Sequence, residues 1–240
     1  ARELNIGFVS RMERGRPWLR LKAAASLDGK TALNNGQSQW ITSPEARQDG
    51  HCWRARACAL MTGIGTIRSD DPQLNVRGLE TSRQPLKVVV DSRMQLPLTA
   101  RVLEGAPLLL AVAQEDASKT AELRTLGVEI LCLSNPEGKV DLALLLQELA
   151  KRGINEVHVE GGAGLNGALL QAGLVDELLL YLAPCLLGDQ ARSLFVLPEL
   201  TRLDDKRALR ITDTRQVGAD LRVLARFGRG AEGRSGVSPA

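Results

Sequence analysis

Residues 155–184 read NEVHVEGGAGLNGALLQAGLVDELLLYLAP. Val157 and Val159, with their neighbours, predict a short buried strand ending in the carboxylate of Glu160, and Gly161, Gly162 and Gly164 follow at once. Apolar spacing over residues 165–171 predicts a helix, Gly173 stands where it stops, and residues 178–182 form a second apolar run of strand length. Strand, glycine turn, helix and strand in that order make one unit of an α/β fold. The turn leaves main-chain N–H groups unpaired at the helix start, where the helix dipole and the missing Cβ atoms let a phosphate come close.

Gly162, Gly164 and Gly167 also satisfy G-x-G-x-x-G, which says little in a chain with 23 glycines among 240 residues. A Rossmann site would set an acid at the end of the next strand to hold a ribose diol. Residues 181–184 supply none, and Asp189 lies beyond them in a Leu-Gly-Asp turn. The sequence favours an α/β nucleotide site wired differently, with a glycine turn that serves only a tight crossover as the alternative.

Composition narrows the class. A 44% hydrophobic content with only 3% aromatic residues implies a core of Leu, Val, Ile and Ala, as in helices packed on a parallel sheet. No linker divides the chain, so one α/β domain is expected. The net charge of +3 is spread along the sequence, which argues against nucleic acid and leaves small phosphates as the expected anions. Four cysteines without C-x-x-C spacing and two histidines suggest neither a metal site nor a disulfide framework. No run reaches membrane-spanning length and no signal peptide is visible, so a cytoplasmic setting is expected.

In chain order, residues 4–14 carry an imperfect helical stripe ended by Gly15 and Pro17, and residues 1–16 read as a connector. Residues 18–25 predict a strand, 26–30 a turn and 31–33 a short continuation. Lys22 is a cation inside that apolar strand, either projecting into a cleft or snorkelling from a sheet edge. Ser43, Pro44 and Glu45 form a strong helix start, and the helix to about residue 57 carries His51, Arg54 and Arg56. Adjacent helical positions diverge, so His51 and Cys52 do not form a nucleophile pair. Residues 58–61 predict a strand, and residues 62–66, TGIGT, a second candidate phosphate turn before a short helix ending near Asp70, Asp71 and Pro72. The two aspartates read as a helix-end turn more readily than as an acid pair.

The strand at 86–90 delivers Asp91, Ser92 and Arg93 to its carboxyl end, where open α/β sheets bind ligands. A strand at 107–113, a helix at 117–126, a strand at 128–133 and a helix at 141–152 continue the alternation. Residues 185–198 read as loop, and the runs at 208–217 and 221–227 as a hairpin that closes the sheet with antiparallel strands. Residues 229–240, rich in Gly, Ser and Arg, are expected to be disordered.

Five separated motifs, LKAAASLDGKTA at 21–32, SQWITSPEAR at 38–47, DDP at 70–72 with Leu74 and Arg77 behind it, VDS at 90–92, and VEGGAGLNGALL at 159–170, resemble the reductase domain of the bacterial bifunctional riboflavin-biosynthesis protein. The resemblance runs in order through residues 1–228. It implies a dihydrofolate-reductase-like α/β fold: a mostly parallel sheet flanked by helices with an antiparallel C-terminal edge, occupying residues 17–228. It implies NADPH-dependent reduction of 5-amino-6-(5-phosphoribosylamino)uracil to the ribitylamino compound, with hydride delivered to the ribose C1′. A pteridine or dihydrofolate-type reductase and a non-catalytic nucleotide-binding module are the alternatives.

Carried over by motif, Ala24, Trp40, Thr66, Asp70, Ser92 and the run Gly162, Ala163, Gly164, Leu165, Asn166, Gly167 and Ala168 match the cofactor side. Ser38, Arg54, Leu74, Arg77 and Glu160 match the substrate side, the arginines suiting a phosphate by their paired donors. Lys22 and Glu160 are implied as proton donor and orienting carboxylate. Preference for NADPH over NADH is expected to rest on Ser92 and Arg93. The resemblance also implies a homodimer. The zinc deaminase signature of the full family protein is absent here, so a missing deaminase domain is expected.

Overall fold

The computed structural model describes residues 2–228, and the tail at 229–240 lies outside them. Helix α1 (Ile6–Arg14) leads into strand β1 (Trp18–Ser26), the short β2 (Lys30–Ala32), α2 (Pro44–Arg56), β3 (Ala59–Gly63), α3 (Ile64–Asp70), β4 (Leu86–Val90) and β5 (Leu108–Val112). Then come α4 (Ala117–Thr125), β6 (Glu129–Cys132), α5 (Leu142–Lys151), β7 (Glu156–Val159), α6 (Ala163–Gln171), β8 (Glu177–Ala183), β9 (Arg192–Ser193), β10 (Leu209–Val217) and β11 (Asp220–Phe227). Nine strands form one sheet in the order β10-β11-β8-β1-β7-β3-β4-β5-β6. The strands from β8 to β6 are parallel, and β11 and β10 add an antiparallel edge, as the hairpin signal predicts.

Local chemistry accounts for the element ends. The Ser43, Asp116 and Asp141 side chains accept main-chain N–H groups in the first turns of α2, α4 and α5. Gly15 ends α1 in the left-handed region, at φ 65. The helix expected as a connector is docked at the amino end of β7: a Cβ on Gly7 would stand 2.7 Å from the Asn155 carbonyl oxygen, and Arg11 Nε donates to Asn155 Oδ1 at 2.7 Å. Residues 185–198, read as loop, contain β9, which pairs with β2. The same segment then straps α6, with the Val196 N–H donating to the Ala163 carbonyl at 3.0 Å. A two-residue strand leaves no periodicity to read.

The two faces of the sheet differ. One is apolar over its central strands, with Leu19, Leu21, Met61, Val88, Val157 and Val159 packed under α5 and α6. The other is mostly apolar over β3, β4 and β5, beneath α3 and α4, with the buried Lys87 ammonium donating to the Val102 carbonyl at 2.9 Å. Over β11, β8, β1 and β7, however, it carries a row of charges under α2. Arg226 Nε meets Glu177 Oε1 at 3.2 Å, Glu177 Oε2 meets Arg20 Nε at 2.6 Å, Arg20 Nη1 meets Glu156 Oε2 at 3.1 Å, and Arg56 Nε closes the row on Glu156 at 3.2 Å. The Trp53 ring on α2 lies over the row, 4.5 Å from the Arg20 guanidinium carbon. Arg20 and Glu177 are both 2% exposed, so each depends on the other for neutralisation.

Arg20→Met is expected to leave the buried Glu177 short of its partner and to lower stability by about 3–5 kcal/mol. Urea unfolding of the two proteins measures this, and a loss below about 1 kcal/mol contradicts it.

Candidate active site at the carboxyl edge of the sheet

Lys22 is two residues beyond Arg20 on β1 and so on the same face. β1 lies inside the sheet between β7 and β8, which removes the sheet-edge reading and leaves the cleft. The Lys22 ammonium stands 5.8 Å from the centre of the Tyr181 ring and makes no hydrogen bond or ion pair among the described residues. Burial pushes its pKa down, the Glu160 carboxylate opposes that, and the Arg54 cation adds to it; the net direction is down.

Glu160 follows β7 and is held by main chain on two sides. Its N–H donates to the Met61 carbonyl at 2.9 Å, and Thr62 Oγ1 donates to its carbonyl at 2.7 Å. Its carboxylate takes a two-pronged bond from Arg54, Nε to Oε1 at 2.5 Å and Nη2 to Oε2 at 2.9 Å, while Arg54 Nη1 donates to the Asn75 carbonyl at 2.9 Å. Burial pushes the Glu160 pKa up, but the Arg54 charge and hydrogen bonds, with Lys22 adding, outweigh it and hold the carboxyl well below its ordinary value. Arg54 is therefore committed to Glu160 and Asn75, a pairing that motif matching does not show. Arg77, by contrast, is exposed and its guanidinium has no partner among the described residues.

Beside these groups, at the ends of neighbouring strands β3 and β7, two helices begin at glycine. Gly63 caps α3 and Gly162 caps α6, and neither start has a side-chain cap. They are in contact: a Cβ on Gly162 would lie 3.8 Å from Thr66 Oγ1, and one on Gly63 3.5 Å from Leu165 Cδ2. Around Gly65 and Gly164 the space a Cβ would take is open. Main-chain donors facing open space suit the phosphates of a dinucleotide. Within residues 162–168 only the first turn offers them, because the Asn166 N–H already donates to the Gly162 carbonyl and Asn166 is 2% exposed. Gly167 faces the Val196 strap, where a Cβ would come 2.0 Å from the carbonyl oxygen. Of residues 162–168, Asn166 and Gly167 thus build the turn's support.

The remaining sequence-derived positions divide by what their side chains touch. Ala24 is two residues past Lys22 on the same face, and Thr66 sits at Gly162. Ser92 Oγ accepts the Val140 N–H at 3.1 Å, which leaves its hydroxyl proton to other partners. Arg93 is exposed. Leu74 is 4% exposed within the core under α3, at φ 48, so its side chain is packed away from a ligand. Asp70 ends α3 and is exposed, and Asp71 accepts the Arg101 N–H at 2.9 Å, as a helix-end turn does. Ser38 is half-buried, and Trp40 is 69% exposed under the Arg47 guanidinium. Two histidines escape the motifs. His158 is fully buried, 3.4 Å from Glu160, and His51 accepts a main-chain hydrogen bond from Arg77. The described residues hold no cluster of His, Cys, Asp and Glu suited to a metal, and none of their helices is long and apolar enough to cross a membrane.

The family model for the RibD C-terminal domain matches residues 17–223. The chain belongs to the RibD C-terminal domain family. The riboflavin biosynthesis protein RibD of Escherichia coli K12 is 42% identical over 234 residues, covering 92% of this chain and 63% of that protein. The structure of Acinetobacter baumannii RibD superposes with a TM-score of 0.85 at 39% identity, over 95% of this chain and 63% of the other. A Thermotoga maritima structure, described as a diaminohydroxyphosphoribosylaminopyrimidine deaminase/5-amino-6-(5-phosphoribosylamino)uracil reductase, gives 0.80 at 26%, over 95% and 61%. The chain thus spans about 63% of the length of its curated RibD relative. The dihydrofolate-reductase-like α/β fold expected from the motifs is the fold observed in this family member.

A carboxyl held below its ordinary value stabilises the fold above that value, and the contribution is lost as pH falls through the folded-state value. Glu160 is therefore expected to add a loss of stability on the acid side of pH 4.5, its unperturbed value. Glu160→Gln should remove that acid limb, as seen in urea unfolding across a pH series; an unchanged profile contradicts the assignment.

Proposed function

We propose that this chain catalyses NADPH-dependent reduction of 5-amino-6-(5-phosphoribosylamino)uracil, with hydride delivered to the ribose C1′. The observation that carries the reading is an unpartnered lysine beside a fixed Arg54–Glu160 pair, set against the glycine-started α6. The Thermotoga relative is described by that activity, and the family match does not favour a pteridine-type reductase or an inactive module. NADPH supplies the hydride when bound. Main-chain donors at Gly162, Ala163 and Gly164, with Thr66 beside them, would hold its phosphates. Asp70, Ser92, Ala24 and Trp40 are the further cofactor positions, and Arg93, an exposed cation next to Ser92, is the proposed partner of a 2′-phosphate.

On the substrate side, Arg77 has unused donors for the 5′-phosphate, Ser38 and Leu74 are the further substrate positions, and Arg54 and Glu160 would orient the sugar. Lys22, with its lowered pKa, gives a proton to the sugar's ring oxygen as the ring opens, and the Glu160 charge nearby favours the ammonium before that transfer. The lysine must be re-protonated from solvent before the next turnover. A cytoplasmic homodimer, and a deaminase domain in the longer relatives' remaining length, belong to the same proposal.

Mixing the protein, NADPH and the phosphoribosylaminouracil should consume the near-ultraviolet absorbance of the reduced cofactor; no decay at high enzyme contradicts the reading. Lys22→Ala is expected to lower kcat by about 10²–10⁴-fold with little change in NADPH affinity. Arg77→Ala should raise KM for the phosphorylated substrate by about tenfold or more. It is a cleaner probe than Arg54→Ala, which also strips Glu160 of its partner. Sedimentation of the purified chain tests the dimer.

A further inference from the structure

His51 is three residues before Arg54 on α2, on the same helix face. Its Nδ1 accepts the main-chain N–H of Arg77 at 3.1 Å. A nitrogen that accepts carries no proton, so in the neutral ring the proton is on Nε2 and that atom is a donor. Nε2 has no hydrogen-bond partner among the described residues and is not a sealed, orphaned atom. The charged groups facing the ring are Arg54 on the same helix, Arg77 on the segment after α3, Lys22 on β1 and Glu160 after β7. Burial, together with those cations, pulls the imidazole down to about 4, so the ring is neutral near pH 7.

Three donors without internal partners therefore surround the Arg54–Glu160 pair: the Lys22 ammonium, the Arg77 guanidinium and His51 Nε2–H. Three cations around one carboxylate call for an anion, and a neutral N–H adds a bond to it without adding another buried charge. We propose that His51 is a further substrate-binding residue, its Nε2–H donating to the same sugar-phosphate group that Arg77 engages. The inference rests on the phosphorylated substrate proposed above. The Nδ1 bond fixes both the ring tautomer and the main chain of Arg77, so one side chain sets two of the phosphate's donors.

Two substitutions separate ligand contact from support of the loop. Asparagine keeps an acceptor near the Nδ1 place and lacks Nε2–H, whereas glutamine carries an amide N–H farther out. His51→Asn is expected to raise KM for the phosphorylated substrate by about tenfold or more with kcat at saturation nearly unchanged, and His51→Gln to recover part of the loss. A role confined to the Arg77 loop leaves His51→Asn at the parent KM, which overturns the proposal. A second measurement does not need turnover. The chain has two histidines, so 15N-imidazole spectra assign both, with His51→Asn naming the signals. Titration with ribose 5-phosphate should shift His51 Nε2 and raise the ring's pKa from about 4, and ribose alone should not. No response of His51 up to millimolar ribose 5-phosphate overturns the site. A response in a protein that fails to reduce the uracil compound would keep the site and sink the reductase reading.

Discussion

Arg20 has no water to retreat to. Buried in the middle strand of the charged face, it must find carboxylates, and it finds Glu177 on β8 and Glu156 on β7. A slip of either neighbour by one residue would turn the carboxylate to the apolar face and leave the guanidinium uncompensated, a cost larger than most packing defects. The row of charges from Arg226 to Arg56 thus specifies register across β11, β8, β1 and β7 together. It also brings α2 down onto the sheet, since Trp53 covers the row and Arg56 ends it.

One step toward the carboxyl edge the same alternation presents Lys22 and Glu160 instead. Here the row is left open. Arg54 and Glu160 neutralise each other, and Lys22 keeps a full set of donors in a half-buried place. A second chain of contacts holds the floor beneath it: Tyr181 Oη donates to Asp49 at 2.5 Å, and Arg222 joins Asp49 to Asp213 at 3.0 and 2.9 Å. The closed row gives rigidity, and the open row leaves a group without an internal partner, which is one a ligand can engage.

The glycine turn follows a related logic. The Gly162 start of α6 leaves its first N–H groups to a ligand, and the helix is held by its far side through Gly167 against the Val196 strap. Thr66 reaches the same turn from α3, so two strands' worth of loop meet at one place.

Periodicity, caps and glycine spacing were enough to determine the strand-turn-helix-strand unit at 155–184, the alternation before it and the closing hairpin. Those signals act over a few residues, where chain stiffness and hydrogen bonding within an element decide the outcome. The site residues were legible only as types in motifs. Which of them touch depended on pairings more than 100 residues apart: Arg54 on Glu160, Arg20 on Glu177 and Glu156. Leu74 read as a contact residue, yet its side chain went to the core. β9 was invisible because two residues carry no period, and His51 gave no signal because its tautomer is set by the Arg77 main chain folding over it. Strand order and the burial of charge belong to the tertiary structure, since a charge's partner is chosen by desolvation and not by its neighbours in sequence.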